Sequence, residues 1–434
     1  MLEKIPLVLG LGLTGQSVIN FLSKSHNEIF VVEDSKENPY LNTLKEKGKN
    51  FQINPALDDE LFQFISEIYA SPGVSREHEI FAYAKKHKIK VTSDIEKFVE
   101  INKCLKVLVT GTNGKTSTCL YIESLFRNFF PDLKVSVLGN IGKPVLSSIE
   151  EEIDIAIIEV SSFQLELLNQ IHFDIGLLLN IEQDHMDIHS SFEEYKKIKY
   201  SILEKALFNI SYDSSKAFLK NSFCYKDLKL PKELIESKTF NNWPLHDLDN
   251  LTASLAVLKC YSENFCYLPL DEINLFKEIE KIFHKFVKLP HRFELLKTST
   301  GLNFINDSKA TNLDAMLKAI EASRKLNQDG DIYLICGGDM KCQEISLIDI
   351  SNVSEVKRIL IYGKDRKILY ESMESHTDCQ YVKDIQEALE NTLKLASEND
   401  YVLFSPGCSS LDMFSNYEER GDEFKRLVAG LTNE

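Results

Sequence analysis

The sequence predicts an α/β protein built from three units with mainly parallel sheets. Short, almost continuously apolar runs alternate with amphipathic helical stretches, a pattern expected of strands buried on both faces and crossed by helices. At 434 residues the chain is too long for one compact core, and a length of this order fits about three domains.

The elements group in order. IPLVLGLG (5–12), EIFVVED (28–34) and EIYASPG (67–73) read as three strands within the first ninety residues. LKVLVTG (105–111), LKVSVLGN (133–140), IDIAIIEV (153–160) and FDIGLLLN (173–180) form a second set, and DIYLICGGD (331–339), VKRILIYG (356–363) and DYVLFSPG (400–407) a third. One boundary is expected near Val91-Thr92-Ser93, before a polar helix. Another falls near Lys288-Leu289-Pro290-His291, after a charged helical region. The expected domains are therefore 1–92, 93–288 and 289–434.

Composition excludes several classes. The net charge, 50 − 66 = −16, argues against a broad nucleic-acid surface, which needs a basic stripe. No apolar run approaches the roughly 20 residues that span a bilayer, so no membrane segment is expected. The N-terminus carries an acid and enters a glycine turn, so a signal peptide is not expected. Nine scattered cysteines without a C-x-x-C pair fit reduced thiols and a cytoplasmic setting. Nothing here sets the oligomeric state; a monomer is the expectation.

Two stretches carry phosphate chemistry. LVTGTNGKTST (108–118) follows a strand and opens a helix, as a phosphate loop does, although Val109 occupies the place of the distant glycine in G-x-x-x-x-G-K-[ST]. Gly111 and Gly114 still permit an anion nest, Lys115 can reach terminal phosphates, and the Thr116 hydroxyl can ligate magnesium. Gly10-Leu11-Gly12-Leu13-Thr14-Gly15 matches G-x-G-x-x-G, and the acids Glu33 and Asp34 end the next strand. Alone, that motif suggests an NAD-dependent oxidoreductase. A dehydrogenase needs no phosphate loop, however, and a simple ATPase needs no second diphosphate site. Together they suggest ATP-driven chemistry on a substrate that itself carries a diphosphate. Asp184, His185, Asp187 and His189 superficially resemble a zinc set, but lack a cysteine or a closed ligand pattern.

At this point the sequence resembles the Mur ligase family, ATP-dependent amino-acid ligases of peptidoglycan synthesis. The resemblance rests on TGTNGKT (110–116), EVSSFQ (159–164) and NIEQDHMD (180–187), and extends over essentially the whole chain. GLGLTG (10–15), LPHRFE (289–294), NDSKATN (306–312) and SPGCSSLD (405–412) are most similar to the D-glutamate-adding branch. It implies a Rossmann-like UDP-binding domain, a central P-loop ATPase-type domain and a C-terminal Rossmann-like domain. The implied reaction joins D-glutamate to UDP-N-acetylmuramoyl-L-alanine through an acyl phosphate, giving ADP and phosphate. Another ligase of the family, a folylpolyglutamate-type ligase and a non-enzymatic nucleotide sensor are the alternatives.

The resemblance also assigns residues. ATP would be held by Gly111, Thr112, Asn113, Gly114, Lys115, Thr116, Ser117, Asn250, Arg292, Asp307 and Lys309. Two Mg²⁺ sites would use Thr116, Glu159, His185 and a CO₂-derived carbamate on Lys199. Catalysis would rest on Lys115, His185 and Lys199. By its residues alone, EEYKKIK (193–199) reads as a solvated helix, and Lys196 and Lys197 compete for the carbamate. The UDP-substrate would meet Leu13, Thr14, Asp34, Ser35, Gly73, Asn140, Ser161 and Gln164, and D-glutamate Thr311, Lys341, Ser410, Leu411 and Tyr417. Asp247 departs from the family's usual Asn and Tyr417 from a frequent Phe. His189 takes no family role.

Overall fold

The computed structural model describes residues 4–431 apart from 47–49, 170, 217–220, 268–271, 297, 299–300 and 328. Among the described residues, three sheets follow one another along the chain, as the alternating pattern implies. The first contains β1 (Ile5–Leu9), β2 (Glu28–Val32), β3 (Asn50–Ile53), β4 (Ile65–Ala70) and β5 (Lys90–Thr92), in the order β3-β2-β1-β4-β5. All of its pairings are parallel.

The second sheet contains β6 (Leu105–Thr110), β7 (Val135–Gly139), β8 (Ile155–Glu159), β9 (Phe173–Leu178), β10 (Ala206–Ser211) and β11 (Ser222–Cys224), in the order β11-β10-β9-β6-β8-β7. The third contains β12 (Glu294–Leu296), β13 (Asn303–Asn306), β14 (Ile332–Gly337), β15 (Arg358–Tyr362), β16 (Asp378–Tyr381) and β17 (Tyr401–Phe404), in the order β12-β13-β17-β14-β15-β16. Its edge strand β12 runs antiparallel to β13, while the sheet's other pairings are parallel.

All ten strands named from apolar runs are present. The remaining strands include short or edge elements such as β3, β11, β12 and β16, and also the interior strand β10, whose ALFNIS sequence is broken by Asn209; none carries a long two-sided apolar run. The stretch at Val91-Thr92 is β5 itself, and Ser93 caps the helix Asp94–Ile101 by accepting from Glu96 N–H.

The core follows the strands. Val107, Val109, Ile155, Ile157, Ile175 and Leu177 pack one face of the second sheet against the helices Lys115–Phe129 and Leu245–Tyr261. This packing fixes the central feature of the molecule: β6 ends where the helix Lys115–Phe129 begins, so the loop between them sits at the carboxyl end of a central strand.

Candidate active site

The loop 110–116 is braced before any ligand arrives. Asn180, just beyond β9, accepts from Asn113 N–H through its side-chain oxygen (2.8 Å) and donates to Asn113 O (3.0 Å). Tyr195 Oη lies 3.0 Å from Thr112 Oγ1. Gly114 has φ +85°, and a Cβ there would lie 2.3 Å from Asn250 Oδ1, so only glycine fits beneath Asn250. Contraction of the motif thus leaves a tight nest that opens the helix Lys115–Phe129. The Lys115 ammonium folds back onto Gly111 O (2.9 Å) and Thr112 O (2.8 Å), and burial holds its pKa below the ordinary lysine value.

Glu159 ends β8 and is 3% exposed. It accepts from Thr116 Oγ1 (2.8 Å) and Asn140 Nδ2 (2.9 Å). Among the described residues, no ammonium or guanidinium lies within ion-pair distance of it. A buried carboxylate and a hydroxyl without a cation are hard oxygen donors, and they fit a magnesium ion. His185 faces the same cavity. Burial lowers its pKa to about 4, against the pull of Asp184 and with the help of Lys341, Lys115 and Lys199. Its ring is therefore neutral at pH 7, the form that can ligate. The backbone of His185 is left-handed, at φ +58°.

Lys199 is buried at 1% exposure, with Nζ donating to Gly111 O (2.9 Å) and lying 4.8 Å from the Tyr195 ring centre. Burial, together with the Lys115 charge, pushes its pKa well below the usual lysine value. The sequence reading of this helix as a solvated face holds for Lys196, which pairs with exposed Glu193 at 2.8 Å, and fails for Lys199. The spacing of four from Tyr195 turns Lys199 toward the phosphate loop.

A cavity of 840 Å³ opens over this loop. It is lined by Thr112, Asn113, Gly114, Lys115, Thr116 and Ser117, by Asn140, Glu159, Ser161 and His185, and by Gly73 from the first sheet. Asn250, Arg292, Asp307, Lys309 and Thr311 complete the wall. The structure therefore brings most of the expected ATP residues together with three of the expected UDP-substrate residues, Gly73, Asn140 and Ser161. Asp307 is half-buried in the cavity wall, and its desolvation raises its pKa to about 7 despite donation from Ser405 Oγ and Phe293 N–H. Burial beside Arg292 and Lys115 lowers Lys309 to about 8.

Other expected residues lie elsewhere. Gly111 is a buried member of the loop, outside the cavity lining. Gln164 is turned inward as the capping-box partner of Ser161. Leu13, 73% exposed, and Thr14 open the helix Leu13–Leu22 beside Asp34 and Ser35, outside the cavity lining. Gly15 is required there, because a Cβ would meet Gly10 O at 1.9 Å. Glu33 accepts from Leu11 N–H (2.7 Å) and Ser35 N–H (2.9 Å), so this acid is consumed in holding the glycine turn and Asp34 is the exposed one.

Lys341 reaches the site from the third unit by pairing with Asp184. Ser410 is buried and Leu411 exposed in the loop after β17, outside the cavity lining. The Tyr417 ring sits 3.9 Å from Lys309 Nζ, a contact that its phenol leaves intact. The four residues with a zinc-like look do not converge. His189 turns to Ser162 and Glu166, while Asp184 pairs with Lys341. Among the described residues, no cluster of three or more His, Cys, Asp or Glu side chains is arranged for a metal.

Tyr212, Tyr225, Leu245 and Lys318 also line the cavity and were not singled out from the sequence. They lie on scattered elements without a motif, so no local signal marks them. Asp247 is not free to read a ligand. Its carboxylate takes Lys288 Nζ and the Tyr121 hydroxyl, and these, with His246, hold its pKa low against the effect of burial.

Comparison with known proteins agrees with this arrangement. Residues 4–93 match the Mur ligase MurD-like N-terminal domain, 109–222 the Mur ligase middle domain and 291–408 the Mur ligase glutamate ligase domain. A UDP-N-acetylmuramoylalanine–D-glutamate ligase of Francisella philomiragia is 30% identical over 436 residues, covering 98% of this chain and 96% of its own. One of the same name from Buchnera aphidicola subsp. Schizaphis graminum is 33% identical over 450 residues, covering 97% of each. Among solved structures, the MurF ligase of Thermotoga maritima in complex with ADP aligns with a TM-score of 0.61 at 14% identity, over 100% of this chain and 98% of that one. The UDP-N-acetylmuramate-alanine ligase MurC of Thermotoga maritima aligns at 0.55 and 14%, over 99% and 100%. With three matching domains in series and full-length relatives at this identity, the chain belongs to the Mur ligase family.

Proposed function

We propose that this chain is an ATP-dependent ligase that joins D-glutamate to UDP-N-acetylmuramoyl-L-alanine, giving ADP and phosphate. The observation that carries the reading is one cavity in which the phosphate loop, the buried Thr116–Glu159 pair, and Arg292, Asp307 and Lys309 from beyond residue 288 face each other. The two relatives named above support the choice of amino acid. The units 1–92, 93–288 and 289–434 would hold the UDP-substrate, ATP and D-glutamate respectively. The setting is cytoplasmic, which the nine unpaired cysteines favour; among the described residues no helix is long and apolar enough to cross a membrane.

A carboxylate does not condense with an amine at neutral pH. The alanyl carboxylate would take the terminal phosphoryl group of ATP, forming an acyl phosphate. The D-glutamate amine would then attack the acyl carbon, release phosphate and lose a proton. The chain's task is charge neutralisation and alignment of two anions. Lys115 and Arg292 supply cations to the phosphates, and Asn250 packs on the loop to hold it in shape. Thr116, Glu159 and His185, with Lys199 as its carbamate, would hold magnesium, which neutralises phosphate oxygens when bound. Burial lowers the Lys199 pKa and so favours its neutral form, the form that reacts with CO₂. For D-glutamate, Thr311, Lys341, Ser410 and the backbone near Leu411 and Tyr417 are the candidate donors.

The test is phosphate release with UDP-N-acetylmuramoyl-L-alanine, scanning single amino acids. Turnover should require D-glutamate, with L-glutamate and L-alanine far weaker. Equal turnover with meso-diaminopimelate, or with folate and L-glutamate, would overturn the assignment.

A further inference from the structure

His189 is the buried member of the zinc-like set that has no role in the site just described. It is 6% exposed and sits at the meeting point of three separately placed segments. Its Nε2 lies 3.0 Å from Ser162 Oγ and its Nδ1 3.3 Å from Glu166 Oε1, a Ser–His–Glu alignment. Such an alignment suggests a nucleophile, yet Ser162 is 3% exposed and lies outside the cavity lining, so no substrate carbonyl can reach it. The arrangement instead holds parts together.

Glu166 also accepts from Arg76 Nε (3.0 Å), and Arg76 Nη2 donates to Phe163 O (3.0 Å). Arg76 follows the Pro72-Gly73 turn of the first sheet, which lines the cavity. On the other side, His189 N–H and Ile188 N–H both donate to His185 O (3.0 and 3.1 Å). The His189 ring stacks on Phe163 with centres 5.3 Å apart and planes 9° apart, and Phe163 also meets the His185 ring edge-to-face with centres 5.1 Å apart. His185 is held in a left-handed conformation that is uncommon for a non-glycine residue.

We propose that His189 is a positioning residue that couples the UDP-substrate unit, through Arg76 and Glu166, to the loop presenting His185. Seating of the nucleotide substrate beside Gly73 and alignment of His185 are then one event. This rests on the ligase reading for its kinetic consequence, while the coupling itself is a property of the ligand-free chain.

The test uses the full-length protein and Arg76→Met, His189→Phe and their double variant, with Glu166→Gln as the conservative change. Hydrogen exchange without ligands is read at the amides of Ile188 and His189. Arg76→Met, which touches neither residue, should speed that exchange by about tenfold, matching His189→Phe, and Glu166→Gln should retain most of the protection. In the ligase assay, Arg76→Met and His189→Phe should each lower kcat/KM for the UDP-substrate by about tenfold, with the double variant no worse than either.

Unchanged exchange at residues 188–189 in Arg76→Met overturns the coupling, as do kinetic losses that multiply in the double variant. If His189→Phe fails to fold, Arg76→Met and Glu166→Gln decide the exchange result alone. If the wild-type chain shows no ligase turnover, the functional reading fails, and the exchange data still decide whether the two units are coupled.

Discussion

Lys341, in the loop after β14, forms a buried ion pair with Asp184, in the loop after β9. Burial alone would raise the Asp184 pKa, but the Lys341 ammonium, the His185 ring and Lys115 bring it down to about 2. Asn113 Nδ2 donates to Asp314 Oδ2 (2.9 Å) and Glu344 N–H to Gln183 Oε1 (3.0 Å), so the third unit is docked both on the phosphate loop and on the loop after β9. If Lys341 also receives a D-glutamate carboxylate, the amino acid must share or displace Asp184. Lys341→Met should then lower kcat/KM for D-glutamate by at least about tenfold while leaving calorimetric ATP affinity largely unchanged. An unaltered KM for D-glutamate would remove Lys341 from the amino-acid site.

Lys115→Ala should reduce ligation by about 10²–10³-fold, the usual loss for a preorganised charge at a transferring group. The circular dichroism spectrum should stay that of the parent, because Lys115 contacts only loop carbonyls. Near-parental turnover would show that loop 110–116 is not the phosphate site.

Lys199 is the expected carbamate. Carbon-13 bicarbonate should give a carbamate NMR signal in the parent that vanishes in Lys199→Ala. Lys199→Ala should lose most activity, and the solvent-facing Lys196→Ala much less. A signal that persists in Lys199→Ala would move the modification elsewhere. No signal in the parent at saturating bicarbonate and magnesium would remove it.

Asp247 and Lys288 test a departure from the family pattern. Lys288 ends the expected second unit, and its ammonium also covers the Trp243 ring at 4.4 Å. Lys288→Met strands a buried carboxylate and should destabilise the chain by about 1–3 kcal/mol. Adding Asp247→Asn should recover much of that loss, because the amide needs no counter-charge. Denaturant midpoints check it; additive losses would show that the pair is not coupled.

The Asp307 carboxyl gives a pH signature in the ligand-free protein. Its pKa rises from 3.8 unfolded to about 7 folded, because burial disfavours the anion. Between those values the folded chain keeps a proton that the unfolded chain has released, so stability falls as pH rises through that window. Asp94, raised to about 6 by burial, adds a slope of the same sign. Asp307→Asn should flatten, without abolishing, the decline of Tm between about pH 4 and 7. An identical Tm–pH curve would show that Asp307 is not protonated in the folded state.

The sequence by itself determined the three-sheet α/β plan, because two-sided burial writes long apolar runs that local reading can see. It also determined the phosphate loop, whose glycines, lysine and threonine act within seven consecutive residues. Edge strands such as β12 and β16 were not legible, since one neighbour and a solvent side leave no clean period. Only the tertiary structure decided which charges meet: that Lys199 is buried while Lys196 is solvated, that Asp247 is spent on Lys288, and that His189 faces Glu166 rather than a metal. Those outcomes depend on side chains far apart along the chain, brought together by sheet packing, and burial then sets their charge by excluding water.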